Sequence, residues 1–148
     1  DIPAAIRQGN FGPNDHPQLG HDRAAEWLGI TVSEYGDGYA KGHMELREDM
    51  LNGHRTCHGG FIFALADSAF AFACNSRNLA TVAAGCNIDY LRPGRAGDLL
   101  CAEARERALI GKRGVYDITI TNQAGEVIAV FQGRSHRIRG EVIHPQQA

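Results

Sequence analysis

The rhythm of apolar and polar positions changes along this chain, and the changes mark its elements. From Tyr39 to Arg47 the period is two: Ala40, Gly42, Met44 and Leu46 alternate with Lys41, His43, Glu45 and Arg47. That is the pattern of a strand with one buried face. Gly36-Asp37-Gly38 reads as a tight turn joining it to an earlier strand, Ile30 to Glu34. From Gly59 to Asn78 the alternation stops. The run from Phe61 to Cys74 is apolar nearly all the way round, which predicts one long helix buried on most of its faces. Strand character returns in Thr81 to Leu91, Asp98 to Leu109, Gly114 to Asn122 and Val127 to Ile138, with turn signals between them. A hairpin, one apolar helix and four consecutive antiparallel strands make an α+β class. A sheet of about this size can wrap a single central helix.

The ends are different. Residues 1–21 hold Pro3, Gly9, Gly12, Pro13, Pro17 and Gly20 and read as a flexible arm, with a helical turn around Ala4 to Gln8. Asp22 to Leu28 is a short helix, with Asp22 as N-cap and Gly29 as C-cap. One domain is expected over 22–139, followed by a polar, flexible tail over 140–148.

Composition narrows the function classes. The chain has 148 residues, 43% hydrophobic and 22% charged, which suits one globular domain with a core. A formal net charge of -2 offers no footprint for nucleic acid. Cys57, Cys74, Cys86 and Cys101 form no C-x-x-C pair, so no metal site is expected. Cys57-His58 has His54 where haem attachment needs a second cysteine. Reduced thiols in a cytoplasmic protein are the expectation. Asp1-Ile2-Pro3 lacks a basic stretch and apolar core, and the apolar run is too short for a bilayer. A soluble protein without a membrane partner is the expectation.

Asp67 is the one formally charged residue between Phe61 and Cys74. A carboxylate among apolar side chains must be paired, neutralised or used. Either its raised pKa suits a nucleophile or general base, or it is a structural acid bonded to backbone or an arginine. Gly59 and Gly60 follow His58 at the start of the predicted helix. Helix starts carry free N–H donors and partial positive charge. These glycines either let a substrate oxygen approach those donors, as in an oxyanion hole, or only permit a sharp turn. Asp67 is eight residues after Gly59, about 12 Å along one helix. One chain does not bring both to one carbonyl, so joint action requires an obligate homodimer.

Asn52, His54 and His58 either orient a substrate carbonyl or water, or hold the loop backbone; the loop role suits His54 best. Lys112, Arg113, Arg92 and Arg137 lie near turns or strand ends. They are candidate phosphate ligands or a solvated rim, and Gly111 and Gly114 make the Lys112-Arg113 loop the first choice. Phe61, Phe63, Phe70, Phe72 and Tyr90 either line an aromatic pocket or fill the core.

The segment Leu51-Asn52-Gly53-His54-Arg55-Thr56-Cys57-His58-Gly59-Gly60, with Ala64-Leu65-Ala66-Asp67-Ser68-Ala69-Phe70-Ala71 and Cys74-Asn75-Ser76, resembles the hotdog-fold acyl-CoA thioesterases. The likeness is to the branch of phenylacetic-acid degradation. Ile88 to Gly94, Gly114 to Asp117 and Gly133 to Ile138 extend it over about residues 22–139. The resemblance implies a five- or six-stranded sheet around the helix, assembled as homodimers and homotetramers. It implies hydrolysis of acyl-CoA, with phenylacetyl or hydroxylated phenylacetyl groups favoured; coenzyme A is part of the substrate and no cofactor is needed. Gly59 matches the amide that polarises the carbonyl, Asp67 the catalytic carboxylate of the other subunit, and Asn52 and His58 the residues that position substrate or water. Some relatives carry a helper hydroxyl on the strand after the helix; Ala83, Ala84 and Gly85 stand there here. A hotdog hydratase or dehydratase, or a non-catalytic acyl-CoA-binding module, is the alternative.

Overall fold

The computed structural model describes residues 22–141; the expected arm and the tail beyond Glu141 lie outside the described residues. Strands β1 (Thr31–Gly36) and β2 (Tyr39–Glu45) form the predicted hairpin. Its turn is Asp37-Gly38, with Gly38 in the left-handed region at φ 67°. Ahead of it, the short helix α1 (Arg23–Leu28) is capped as expected. Asp22 Oδ1 accepts the Ala25 N–H at 3.0 Å, and Gly29 closes the helix at φ 72°.

The apolar run forms helix α2 (Gly59–Cys74). Strands β3 (Thr81–Tyr90), β4 (Leu99–Ile110), β5 (Arg113–Thr121) and β6 (Val127–Arg137) follow. One six-stranded sheet results, in the order β1-β2-β4-β5-β6-β3, with every pairing antiparallel. The period-two positions face α2: Ala40 and Met44 on β2, Ala102 and Ala104 on β4, Ile118 and Ile120 on β5 are all buried. Phe70 lies against Gly133 of β6, where a Cβ would sit 2.7 Å from its ring. Tyr116 and Phe131 pack around the same ring at centroid distances of 5.6 and 5.9 Å.

Two expectations about the helix are corrected. It ends at Cys74, four residues before Asn78. Asn75 stops it: its Nδ2 donates to the Ala71 and Thr81 carbonyls, and its Oδ1 accepts the Thr81 N–H at 2.9 Å. A side chain that satisfies both the last turn and the first residue of β3 competes with helix continuation. The helix is also not buried on most faces within one subunit. Ile62, Leu65, Ala66, Ala69, Phe70, Phe72 and Ala73 are buried against the sheet. Gly60, Phe63, Ala64, Asp67 and Ala71 lie on the opposite side and are exposed or half-buried. At 100° per residue these two sets are opposite halves of one cylinder. An apolar helix therefore keeps half of its circumference uncovered by its own sheet.

Beyond β6, the Gly140 carbonyl accepts the Ala80 N–H at 3.1 Å, and the Glu141 carboxylate accepts from Asn78 Nδ2 at 3.4 Å. The first two tail residues are thus tied to the body. Among the described residues no helix is long and apolar enough to cross a membrane.

Candidate active site

The polar loop before α2 is held from inside by Asn52. Its Oδ1 accepts the His54 N–H at 2.9 Å, the Thr56 N–H at 3.2 Å and the Thr56 hydroxyl at 3.3 Å. A single side-chain oxygen thus folds the loop into a turn. The fold uses that oxygen, and among the described residues the Asn52 amide NH2 has no hydrogen-bond partner. The loop is then pinned to the body. Cys57 N–H donates to the Gly94 carbonyl at 2.8 Å, and His58 N–H to the Met50 carbonyl at 2.9 Å. His58 is exposed and edge-on to Phe61, with centroids 6.4 Å apart.

Helix α2 begins without a side-chain cap. Phe61 N–H takes the His58 carbonyl at 3.1 Å, and among the described residues the N–H groups of Gly59 and Gly60 have no partner. These donors sit at the positive end of a 16-residue helix. Tyr90, at the end of β3, lies directly over Gly59. Its hydroxyl donates to the Gly59 carbonyl at 2.9 Å, and a Cβ on Gly59 would lie 2.8 Å from its Cζ. Gly59 is therefore glycine because a ring occupies the space of its side chain. An open groove runs from here, lined by Thr56, Cys57, Gly59, Ile62, Tyr90 and Arg92. Burial pushes the Cys57 thiol up to about 11. It stays protonated at neutral pH and is no thiolate nucleophile.

Asp67 lies two turns further along α2, on the uncovered half. It was expected to be buried among phenylalanines. In one subunit it is exposed, because the phenylalanines on its own side, Phe61 and Phe63, are only half-buried, while Phe70 and Phe72 point into the sheet. Enough apolar surface still surrounds its carboxyl to hold it above the usual carboxylate range, and the Asp22 carboxylate adds to the effect. Asp22 was legible only as a helix cap; its approach to Asp67 comes from the packing of α1 on α2.

The four candidate phosphate ligands do not form one cluster. Lys112, Arg113 and Arg137 come together: Arg113 pairs with His136, and Arg137 N–H donates to the Lys112 carbonyl at 2.8 Å. They lie at the Thr81 end of β3, where Thr81 pairs with Arg137. Tyr90 and Gly59 lie at the other end of that strand, about 30 Å away at the usual rise per residue. Arg92 belongs to the Gly59 end, where it pairs with Glu126 at 3.7 Å and donates to the Val127 carbonyl at 3.3 Å. At the position of the helper hydroxyl, the chain carries Ala83, Ala84 and Gly85, with a register shift between Ala83 and Gly85. The nearest hydroxyl on α2, Ser68, donates to the Ala64 carbonyl at 2.8 Å.

This sequence and this fold recur in known proteins. The thioesterase superfamily profile matches residues 54–129. Acyl-coenzyme A thioesterase PaaI of Escherichia coli K12 is 50% identical over 129 residues, covering 87% of this chain and 92% of the relative. The chain belongs to the thioesterase superfamily. The solved structure of the E. coli PaaI protein, from the phenylacetic acid degradation operon, superposes on this thioesterase with a TM-score of 0.84, covering 86% of this chain and 93% of that one. A Streptococcus mutans UA159 protein bound to acetyl CoA is 26% identical, with a TM-score of 0.72 over 76% of this thioesterase and 90% of the other chain. The α+β class read from the residue pattern is borne out, and the antiparallel sheet packed on one central helix is the hotdog arrangement that the family resemblance implies.

Proposed function

We propose that this thioesterase hydrolyses acyl-coenzyme A thioesters to free acid and coenzyme A, with phenylacetyl and ring-hydroxylated phenylacetyl groups as its acyl class. The observation that carries this reading is the pairing of unbonded amides at Gly59 with a carboxylate of raised pKa at Asp67, in a chain half identical to an acyl-CoA thioesterase. The thioester oxygen accepts the Gly59 N–H. As the carbonyl carbon becomes tetrahedral, negative charge gathers on that oxygen and the helix dipole stabilises it. Asp67 either attacks the carbon, giving a mixed anhydride that water then cleaves, or takes a proton from the attacking water. In both routes the carbon–sulfur bond breaks, and the departing thiolate becomes the free thiol of coenzyme A.

The two groups are about 12 Å apart on one helix, so Asp67 serves the carbonyl held by the other subunit's Gly59. The uncovered apolar half of α2 supports a homodimer in which two such helices face each other; pairs of dimers make the working homotetramer. His58 and the amide of Asn52 orient the substrate or water beside Gly59. Lys112, Arg113 and Arg137, about 30 Å from the Gly59 of their own chain, attract the coenzyme A phosphates of a substrate held by another subunit, and Arg92 does so nearer the carbonyl of its own. The protein works in the cytoplasm, where its four thiols, free in this structure, stay reduced.

The test is thiol release from phenylacetyl-, benzoyl-, acetyl- and long-chain acyl-CoA by wild type and Asp67→Asn. Release that is fastest for phenylacetyl-CoA and collapses in Asp67→Asn is the expected result. Tight binding of every thioester without release would favour a binding module instead. A single turnover in labelled water tests the anhydride route: label in Asp67 marks an anhydride that water opens at the aspartyl carbon, an outcome that general-base attack on the thioester does not give.

A further inference from the structure

The peptide group between Gly59 and Gly60 is gripped from outside the helix. Tyr90 Oη donates to the Gly59 carbonyl at 2.9 Å, and its ring fills the place of the missing Cβ. Tyr90 itself is fixed by the sheet. It pairs with Ala129 of β6, and the next two residues, Leu91 and Arg92, both donate to the Ile128 carbonyl, at 2.8 and 3.2 Å. A tyrosine on a rigid strand end is thus aimed at the first carbonyl of the helix. The same ring is half-exposed along the groove that contains Gly59. Burial raises its phenol above the ordinary range, so it remains a donor at neutral pH.

A hydrogen bond to a peptide carbonyl does two things to the N–H on the same peptide. It fixes the peptide plane, and it polarises the N–H into a stronger donor. The Gly59 carbonyl shares its peptide with the Gly60 N–H, which has no partner among the described residues. The neighbouring peptide is served likewise: its carbonyl, that of His58, accepts from Phe61 N–H at 3.1 Å and from the Cys57 thiol at 3.3 Å, and its N–H is that of Gly59. Both free amides at the helix start therefore hang from carbonyls that are already held.

We infer that Tyr90 is a positioning residue for the thioester carbonyl: its hydroxyl holds the Gly59 carbonyl and thereby aims and polarises the Gly60 N–H as a second donor beside that of Gly59. The inference rests on the hydrolase reading above. Its signature is a transition-state effect, because the oxygen demands more from the donors as charge develops on it.

Tyr90→Phe keeps the ring and removes only the hydroxyl. With phenylacetyl-CoA, loss of one net hydrogen bond predicts kcat lower by about fivefold, with KM within about twofold of wild type. The 15N resonance of Gly60 moves upfield as its peptide loses polarisation, and the melting temperature stays close to that of wild type. Asp67→Asn is assayed alongside. Turnover that collapses in Asp67→Asn while Tyr90→Phe keeps full kcat overturns this inference and leaves the hydrolase reading standing. A loss confined to KM, an unmoved Gly60 resonance, or a fall in rate matched by a fall in folded protein overturns it as well. A wild type that releases no thiol overturns the hydrolase reading, and a carbonyl role for Tyr90 with it.

Discussion

Replacing Gly59 by alanine separates the stability of this fold from its chemistry. The new Cβ would sit 2.8 Å from Tyr90 Cζ and 2.9 Å from Tyr90 Oη, inside contact distance, so the ring must swing towards the groove. The swing breaks the 2.9 Å bond to the Gly59 carbonyl, a loss of about 1 kcal/mol. Alanine in place of glycine in a helix returns up to about 1 kcal/mol. The two nearly cancel, and the melting temperature is expected within about 5 °C of wild type. The rate does not share this cancellation. A methyl group now stands beside the Gly59 N–H, and the substrate oxygen loses its approach. Removal of one oxyanion donor costs about 10²–10³ in kcat. Thiol release from phenylacetyl-CoA and a thermal melt on the same preparation read both quantities. A Gly59→Ala protein that keeps more than about a tenth of the wild-type kcat would refute the oxyanion role of this helix start.

Other changes have equally definite outcomes. Because Asp67 must be ionised to act and its pKa is raised by burial first and by Asp22 second, kcat/KM falls with falling pH through a limb above the ordinary carboxylate range. Asp22→Asn keeps the cap on Ala25 and moves that limb to lower pH, though not to the ordinary range; a limb that stays in place would show that Asp22 does not act on Asp67. The same shift makes the folded protein hold this proton more tightly than the unfolded chain, so ionising Asp67 lowers stability as pH rises through its folded pKa, which pH-dependent denaturant melts of wild type against Asp67→Asn detect. Phe70→Ala empties the space between Gly133, Tyr116 and Phe131 and should cost about 3–5 kcal/mol in chemical denaturation; a loss under about 1 kcal/mol would mean that this ring is not central to the core. Charge reversal of Lys112 and Arg137 together should raise KM for phenylacetyl-CoA on the order of tenfold and leave the pantetheine thioester, which lacks the phosphates, unchanged; equal effects on both substrates would remove these cations from phosphate binding.

Local periodicity reports what a residue's neighbours in sequence impose, and here it reported well. The alternation at Ala40, Met44 and Leu46 places those side chains in the core, where they are buried. The glycines before Phe61 mark the helix start at the residue where α2 begins. What the pattern leaves open is non-local. An apolar circumference does not say which half of a helix its own sheet covers, so Asp67 was expected to be buried and is exposed within one subunit. The stop at Asn75 depends on Thr81, a residue of the next strand, meeting its side chain. The separation of Arg92 from Lys112 and Arg137 follows from β3 crossing to the far edge beside β6, and strand order is not written in alternation. Tyr90 over Gly59 is of the same kind. The glycine announced that something approaches closely; only the fold says what.

Subunit mixing decides whether the catalytic centre is shared between two subunits. Asp67→Asn and Gly59→Ala chains are each expected to be nearly inactive. In a hybrid dimer, one site keeps an intact Gly59 from the first chain and an intact Asp67 from the second. Co-refolding equal amounts should restore about a quarter of wild-type thiol release from phenylacetyl-CoA, since about half of the dimers are hybrids with one good site each. Activity no higher than that of the separate variants, with hybrids demonstrated by mass, would contradict the shared site and place the whole chemistry within one chain.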